Sequence, residues 1–221
     1  MPTIVITGAS RGIGLELAKV YAGAGARVIA GVRRPETFPT SLGAAVALDV
    51  ADAASVSGFA QALGDEPVDL LINNAGIIGP DRQSSLNMDF DGFLETLATN
   101  TLGPLRVTQA LLPNLRRAEG ARVAVISSQM GSLTSSSSDH AAYRTSKAAV
   151  NKVVQCLAAD LRSQGIAVAS VHPGWVRTEM GGAGADISPV ESAQGIRTVL
   201  DRLNLGVTGR FWNYTGDELA W

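Results

Sequence analysis

The stretch Thr3-Ile4-Val5-Ile6-Thr7-Gly8-Ala9-Ser10-Arg11-Gly12-Ile13-Gly14 decides how this chain is read. Its first five residues are all β-branched, which predicts a compact buried strand over Thr3–Thr7. Glycines follow at positions 8, 12 and 14, and Gly14–Ala22 then reads as a helix. Glycine lets the backbone turn tightly and approach a bulky anion, and a helix start offers unpaired N–H groups with partial positive charge. Strand, glycine-rich turn and helix in that order predict a cradle for the pyrophosphate of a dinucleotide. The spacing is Gly-xxx-Gly-x-Gly rather than the commoner Gly-x-Gly-xx-Gly. Gly8, Ser10, Arg11, Gly12, Ile13 and Gly14 are the candidate contacts.

The same alternation continues outward. Arg27–Gly31, Ala44–Leu48, Val68–Asn73, Arg122–Ser127 and Ala167–His172 read as buried strands, with a last one near Gly209–Asn213. Helices are predicted over Ala53–Leu63, Phe90–Arg117, Ala141–Ser163 and Pro189–Leu203. Apolar strands alternating with helices imply a parallel sheet covered on both faces. Right-handed crossovers make it an α/β, Rossmann-type doubly wound fold of about seven strands. Pro35, Pro39 and Gly43 leave the helix between the second and third strands short or absent. Pro104 and Pro113 are expected to kink or segment Phe90–Arg117. No internal repeat or domain boundary is visible, so residues 1–221 read as one domain, with a short glycine-containing substrate lid around 179–190.

Composition narrows the function. With 221 residues the chain can bury a large core without metal or disulfide staples. Its 18 basic and 20 acidic residues give a net charge of −2, which argues against a nucleic-acid partner. One cysteine and two histidines make a metal centre improbable. Mean hydropathy is +0.16, yet no apolar run approaches membrane-spanning length. The expectation is a soluble, cytoplasmic protein.

The end of the second strand bears on the cofactor. An acidic side chain there would accept a hydrogen bond from a free ribose 2′-hydroxyl and repel a 2′-phosphate. This chain has Gly31-Val32-Arg33-Arg34 instead. Arg33 and Arg11 could clamp a phosphate through charge-assisted bonds, which favours NADP(H) over NAD(H). Asp49-Val50 follows the third strand; without a ligand, Asp49 would serve as the N-cap of the next helix.

Tyr143-Arg144-Thr145-Ser146-Lys147 opens a long helix, and the four-residue spacing puts tyrosine and lysine on one face. A neighbouring ammonium stabilises a phenolate, so such a tyrosine can exchange a proton with an alcohol or carbonyl oxygen. Taken by itself, a pair of this kind is usually just a helix surface.

Several motifs in order carry more weight: Thr7–Gly14, Asn73-Asn74-Ala75-Gly76, Asn100, Ser127-Ser128, Tyr143-xxx-Lys147 and Pro173-Gly174. Together they resemble the short-chain dehydrogenase/reductase family along essentially the whole chain. The likeness is closest to small carbonyl reductases of the sniffer and C-factor type, through Tyr143–Lys147, His172-Pro173-Gly174-Trp175-Val176 and Leu219-Ala220-Trp221.

The resemblance implies Tyr143 as general acid/base and Lys147 as its partner on the nicotinamide ribose. It implies Ser128 on the substrate carbonyl oxygen and Asn100 supporting a water that leads protons toward Lys147. Ser128 lies 15 residues before Tyr143, slightly more than is common in the family, and Ser127 is the alternative. By the same resemblance Asp49 and Val50 face adenine, and Asn74, Ala75 and Gly76 run along its ribose. Pro173, Gly174, Val176 and Thr178 pack on the nicotinamide.

The implied partner is a small carbonyl or alcohol substrate, in a homodimer or homotetramer paired through the long central helices. A nucleotide-sensing signalling protein and a 3-oxoacyl thioester reductase are the alternatives. Cys156 is expected to be buried in the long helix and His172 to be structural. The default for Trp175, Trp212 and Trp221 is packing in a core or interface.

Overall fold

The β-branched run Thr3–Thr7 forms strand β1, in a computed structural model that describes all 221 residues. The glycine-rich turn leads into helix α1, Gly12–Gly23. Strands β2 (Arg27–Val32), β3 (Ala44–Ala47) and β4 (Leu70–Asn73) follow. Two single 3-10 turns replace the helix between β2 and β3, as its prolines predict. Helix α2 (Ala53–Leu63) joins β3 to β4, and Asp52 caps it by accepting from the Ala54 N–H. Asp49 accepts from Ala51 N–H instead, so it is not the helix cap.

A short antiparallel hairpin, β5 (Gln83–Ser84) and β6 (Asn87–Met88), precedes the central helices. The predicted Phe90–Arg117 helix is three helices: α3 (Phe90–Leu97), α4 (Gly103–Ala110) and α5 (Leu112–Arg117). A five-residue π turn, Ala98–Leu102, separates the first two. Pro104 and Pro113 sit in the first turns of α4 and α5, where a missing N–H costs no intrahelical bond. Strand β7 (Arg122–Ile126), helix α6 (Ala141–Leu161), strand β8 (Ala167–His172), helix α7 (Pro189–Asp201) and strand β9 (Phe211–Asn213) complete the chain.

The main sheet has seven strands in the order β3-β2-β1-β4-β7-β8-β9, all pairs parallel. Strand residues alternate between two cores. Ile4, Ile6, Leu70 and Ile72 pack under α1 and α7, whereas Val5, Leu71, Val123 and Val125 pack under α2, α4 and α6. Burial on both faces explains why the strands are apolar throughout. Strand order reverses between β1 and β4, and a doubly wound sheet opens its ligand crevice at such a point. No helix is long and apolar enough to cross a membrane.

One side chain ties that crevice together. Thr7 Oγ1 accepts from the Asn74 and Ala75 N–H groups at 3.0 and 3.1 Å. Asn74 Nδ2 returns bonds to the carbonyls of Thr7 and Gly8 at 3.0 and 3.1 Å. Thr7→Val keeps the shape and β-propensity but orphans two N–H groups. Urea denaturation should show a loss of roughly 2–4 kcal/mol; a loss below about 0.5 kcal/mol would mean that other acceptors replace Thr7.

Candidate active site

The carboxyl ends of β1, β2, β4, β7 and β8 carry most of the candidate residues to one edge. Gly8 has φ +68°, and a Cβ there would stand 2.8 Å from Ala75 Cα. At Gly14 it would stand 2.4 Å from the Gly8 carbonyl and 2.5 Å from Asn74 Nδ2. These glycines let the loop close onto β4 and α1 pack against its own entry. The first bond into α1 is Leu15 N–H to the Arg11 carbonyl, so the Gly12, Ile13 and Gly14 N–H groups lack intrahelical partners. Arg11, the N-cap residue, makes no side-chain cap. A free, uncapped helix start beside half-buried Ser10 fits a pyrophosphate.

The arginines are placed differently from the simplest expectation. Both are exposed, but Arg11 pairs with Glu179, from the segment after β8, and is not turned to Arg33 at the end of β2. Asp49 is exposed, whereas Val50 is buried against Gly103. Asn74, Ala75 and Gly76 line the end of β4; a Cβ on Gly76 would lie 3.2 Å from Asn100 Oδ1 and 3.7 Å from Lys147 Nζ. Across the crevice, Gly174 (φ +85°) turns the chain after Pro173, whose carbonyl is held by Ser192 Oγ at 2.6 Å. Val176 is buried, and Thr178 Cγ2 lies 3.3 Å from where a Gly12 Cβ would be.

Tyr143 and Lys147 lie in the first turns of α6, both buried. Lys147 Nζ donates to the Ile126 carbonyl at 2.8 Å and stands 5.6 Å from the Tyr143 ring centre. Burial alone pushes the ammonium down to about 8. Burial likewise pushes the Tyr143 phenol up to about 12, against a hydrogen bond with Ser128 that favours the phenolate. Burial is thus the larger influence on the phenol, and the Lys147 ammonium is directed to a backbone carbonyl.

The two serines separate cleanly. Ser127 Oγ donates to Asn151 Oδ1 at 2.7 Å in the core, while Ser128 lies against Tyr143. The extra residues between Ser128 and Tyr143 are taken up by a 3-10 turn, Gln129–Gly131, and the exposed loop that follows. Asn100 sits in the π turn. Its amide pairs both ways with Ile77, donating to the carbonyl and accepting from the N–H at 2.8 Å each, and donates to Ser146 Oγ at 3.0 Å. Ser146 Oγ donates in turn to the Tyr143 carbonyl at 2.7 Å.

Sequence reasoning missed Gln83, Gly131 and Ser146, which hold this group without a motif of their own. A Cβ on Gly131 would approach the Lys147 backbone to 2.6 Å. Before the start of α6 opens a cleft of about 370 Å³ whose lining includes Ile78, Asp81, Gln83, Asp139 and His140. Cys156 is exposed, a correction to its expected burial: it falls on the outer face of α6. His172 is mostly buried and held down to about 4, and its Nδ1 lacks a hydrogen-bond partner. Trp221 stacks on Phe211 at 5.6 Å, whereas Trp175 is 54% exposed and donates to the Gly181 carbonyl.

The crevice and the uncapped helix start belong to a doubly wound fold of the dinucleotide-binding type, with Ser128, Tyr143 and Lys147 gathered at the sheet edge. A family model described as short chain dehydrogenase matches residues 2–186, and the chain belongs to that family. C-signal of Myxococcus xanthus is 44% identical over 165 residues, covering 74% of this chain and 98% of that protein. Among solved structures, NADPH-bound carbonyl reductase from chicken fatty liver aligns with TM-score 0.91 and 31% identity, over 100% of this chain and 99% of that one. The carbonyl reductase Sniffer of D. melanogaster aligns with TM-score 0.90 and 30% identity, over 100% of both.

The buried ammonium has a measurable consequence. Folded Lys147 releases its proton near pH 8 while the unfolded chain holds it to about 10.5, so the folded state binds fewer protons in that window. Stability should therefore rise from pH 8 toward 10, by roughly 1–3 kcal/mol. Lys147→Met should be more stable than wild type at pH 7 and lose that rise in denaturation series. Parallel pH profiles for the two proteins would contradict this.

Proposed function

We propose that the protein reduces an aldehyde or ketone with NADPH, reversibly oxidising the corresponding alcohol. The observation that carries this is Ser128 against the buried Tyr143, with Lys147 Nζ 5.6 Å from its ring centre and 3.7 Å from where a Cβ on Gly76 would stand. When bound, the nicotinamide supplies the hydride to the carbonyl carbon. Tyr143 gives its phenolic proton to the carbonyl oxygen, and burial suits it to this: a phenol near 12 is fully protonated at neutral pH. The Ser128 hydroxyl donates to the same oxygen as negative charge grows there. Lys147, an ammonium below about pH 8, stabilises the phenolate left behind. Asn100 supports a water through which Lys147 regains protons. In the oxidative direction Tyr143 must start as phenolate, so alcohol oxidation should favour alkaline pH.

The Gly12–Gly14 N–H groups and Ser10 would hold the pyrophosphate, with Gly8 giving it room. Asn74, Ala75 and Gly76 would follow the adenine ribose, and Asp49 and Val50 the adenine. Pro173, Gly174, Val176 and Thr178 would face the nicotinamide. Arg33 and Arg11 would take the 2′-phosphate, with Arg11 exchanging Glu179 for it. The Val32-Arg33-Arg34 strand end offers no carboxylate to a 2′-hydroxyl, and the NADPH-bound chicken enzyme supports the same choice.

Residues 179–190 form the substrate lid in this reading. Pairing of two copies is supported by exposed Phe90 and Leu94, one turn apart on α3. The complete set of Asn100, Ser128, Tyr143 and Lys147 favours catalysis over a signalling role alone.

Tyr143→Phe removes the phenolic hydroxyl and keeps the ring, and should lower turnover by at least about 10³-fold, with NADPH binding by fluorescence titration unchanged. A variant retaining a tenth of the rate would refute the assigned role. Arg33→Ala should weaken NADPH binding by about tenfold, the range of one charge-assisted bond, and leave NADH binding unchanged. Equal effects on both cofactors would remove Arg33 from the phosphate site.

A further inference from the structure

Helix α6 begins in an unusual way. His140, its N-cap residue, is in the left-handed region (φ 52°) and makes no side-chain cap, and the first turn has no acidic residue. The first intrahelical bond is Arg144 N–H to the His140 carbonyl. The Ala141, Ala142 and Tyr143 N–H groups thus need acceptors from elsewhere. For Tyr143 the acceptor comes from 60 residues away: Gln83 Oε1, at 3.1 Å, in a buried contact.

The other end of the same amide is also engaged. Gln83 Nε2 donates to the Ile78 carbonyl at 3.1 Å, so the oxygen must face Tyr143. Gln83 is 7% exposed. Its hairpin is anchored by the Asp89 N–H to Arg82 carbonyl bond at 2.8 Å, and Asp89 in turn caps α3 through the Gly92 N–H. Gly79 makes room, because a Cβ there would stand 3.0 Å from Thr96 Oγ1 and 3.3 Å from Gln83 Oε1. Next to Ile78, the Ile77 backbone is fixed by both ends of the Asn100 amide. One amide therefore links the loop after β4, a hairpin rooted on α3 and the backbone of Tyr143.

We propose that Gln83 is the positioning residue for Tyr143, a cap supplied in trans that fixes where the phenol stands relative to Ser128 and the bound carbonyl. This rests on Tyr143 being the general acid. Proton transfer is steep in distance, and a misplacement of about 1 Å costs on the order of 10²-fold in rate. Dinucleotide affinity depends on the Gly8–Gly14 loop at the end of β1, which Gln83 does not touch. Loss of the cap should consequently appear in the chemical step.

The test compares Gln83→Met, similar in length with neither polar end, and Gln83→Glu, which keeps an acceptor for the Tyr143 N–H. Gln83→Met should lower kcat 10- to 100-fold with the Kd for NADPH within twofold of wild type, and Gln83→Glu should recover to within fivefold of the wild-type kcat. Gln83→Asn keeps an amide on the hairpin but ends short of Tyr143; it should show the Met-type loss and carries the comparison if Gln83→Met does not fold. A kcat within twofold of wild type in Gln83→Met or Gln83→Asn would overturn the proposal. So would a loss shared equally by Kd and kcat, or a Gln83→Glu protein as slow as the methionine variant. An active Tyr143→Phe enzyme would instead overturn the role of Tyr143, which keeps the two failures distinct.

Discussion

Every strand of the main sheet runs the same way, so every carboxyl end opens onto one edge, and the structure depends on how the two middle strands are joined there. Thr7 makes that join. Its hydroxyl oxygen takes both N–H groups that leave β4, and Asn74 answers by holding the two carbonyls that leave β1. The strand order reverses at this seam, so no crossover helix covers it. The glycine turn folds over one side of the seam, and the Asn100–Ile77 clasp and α6 close the other.

The site built on that edge works against the stability of its surroundings. Lys147 is a buried ammonium with a carbonyl partner and no carboxylate, and Tyr143 is a buried phenol. Desolvation favours the neutral form of each, a cost that a purely structural core would avoid. Rigidity comes from backbone contacts instead. Asn100 binds Ile77, Ser146 binds the Tyr143 carbonyl, and Gly131 lets the serine loop press on Lys147. The π turn at Ala98–Leu102 is the local departure from regular helix that brings Asn100 into this group.

The seven parallel strands were readable because each is a continuous β-branched or apolar run bounded by turn residues, and Ala53–Leu63 and Ala167–His172 match their expected limits. The Tyr143–Lys147 face followed from helical spacing, but which way each of Ser127 and Ser128 turns did not. Ser127 is the one whose hydroxyl turns into the core toward Asn151. The β5–β6 hairpin was invisible because two-residue strands leave no periodicity, and Gln83 went with it. Spacing reports that Lys147 is near Tyr143, but not that burial pushes the phenol up or that the ammonium points at the Ile126 carbonyl. Cys156 was misplaced because a polar-small pattern along α6 does not say which face meets solvent.

We propose that this edge delivers hydride from the phosphorylated dinucleotide and a proton from Tyr143 to a carbonyl. The most direct measurement is consumption of NADPH by the purified protein across a panel of aldehydes and ketones, with NADH run in parallel. Oxidation should require the carbonyl compound and be markedly faster with NADPH. Tight NADPH binding with no carbonyl-dependent oxidation across a broad panel would contradict it.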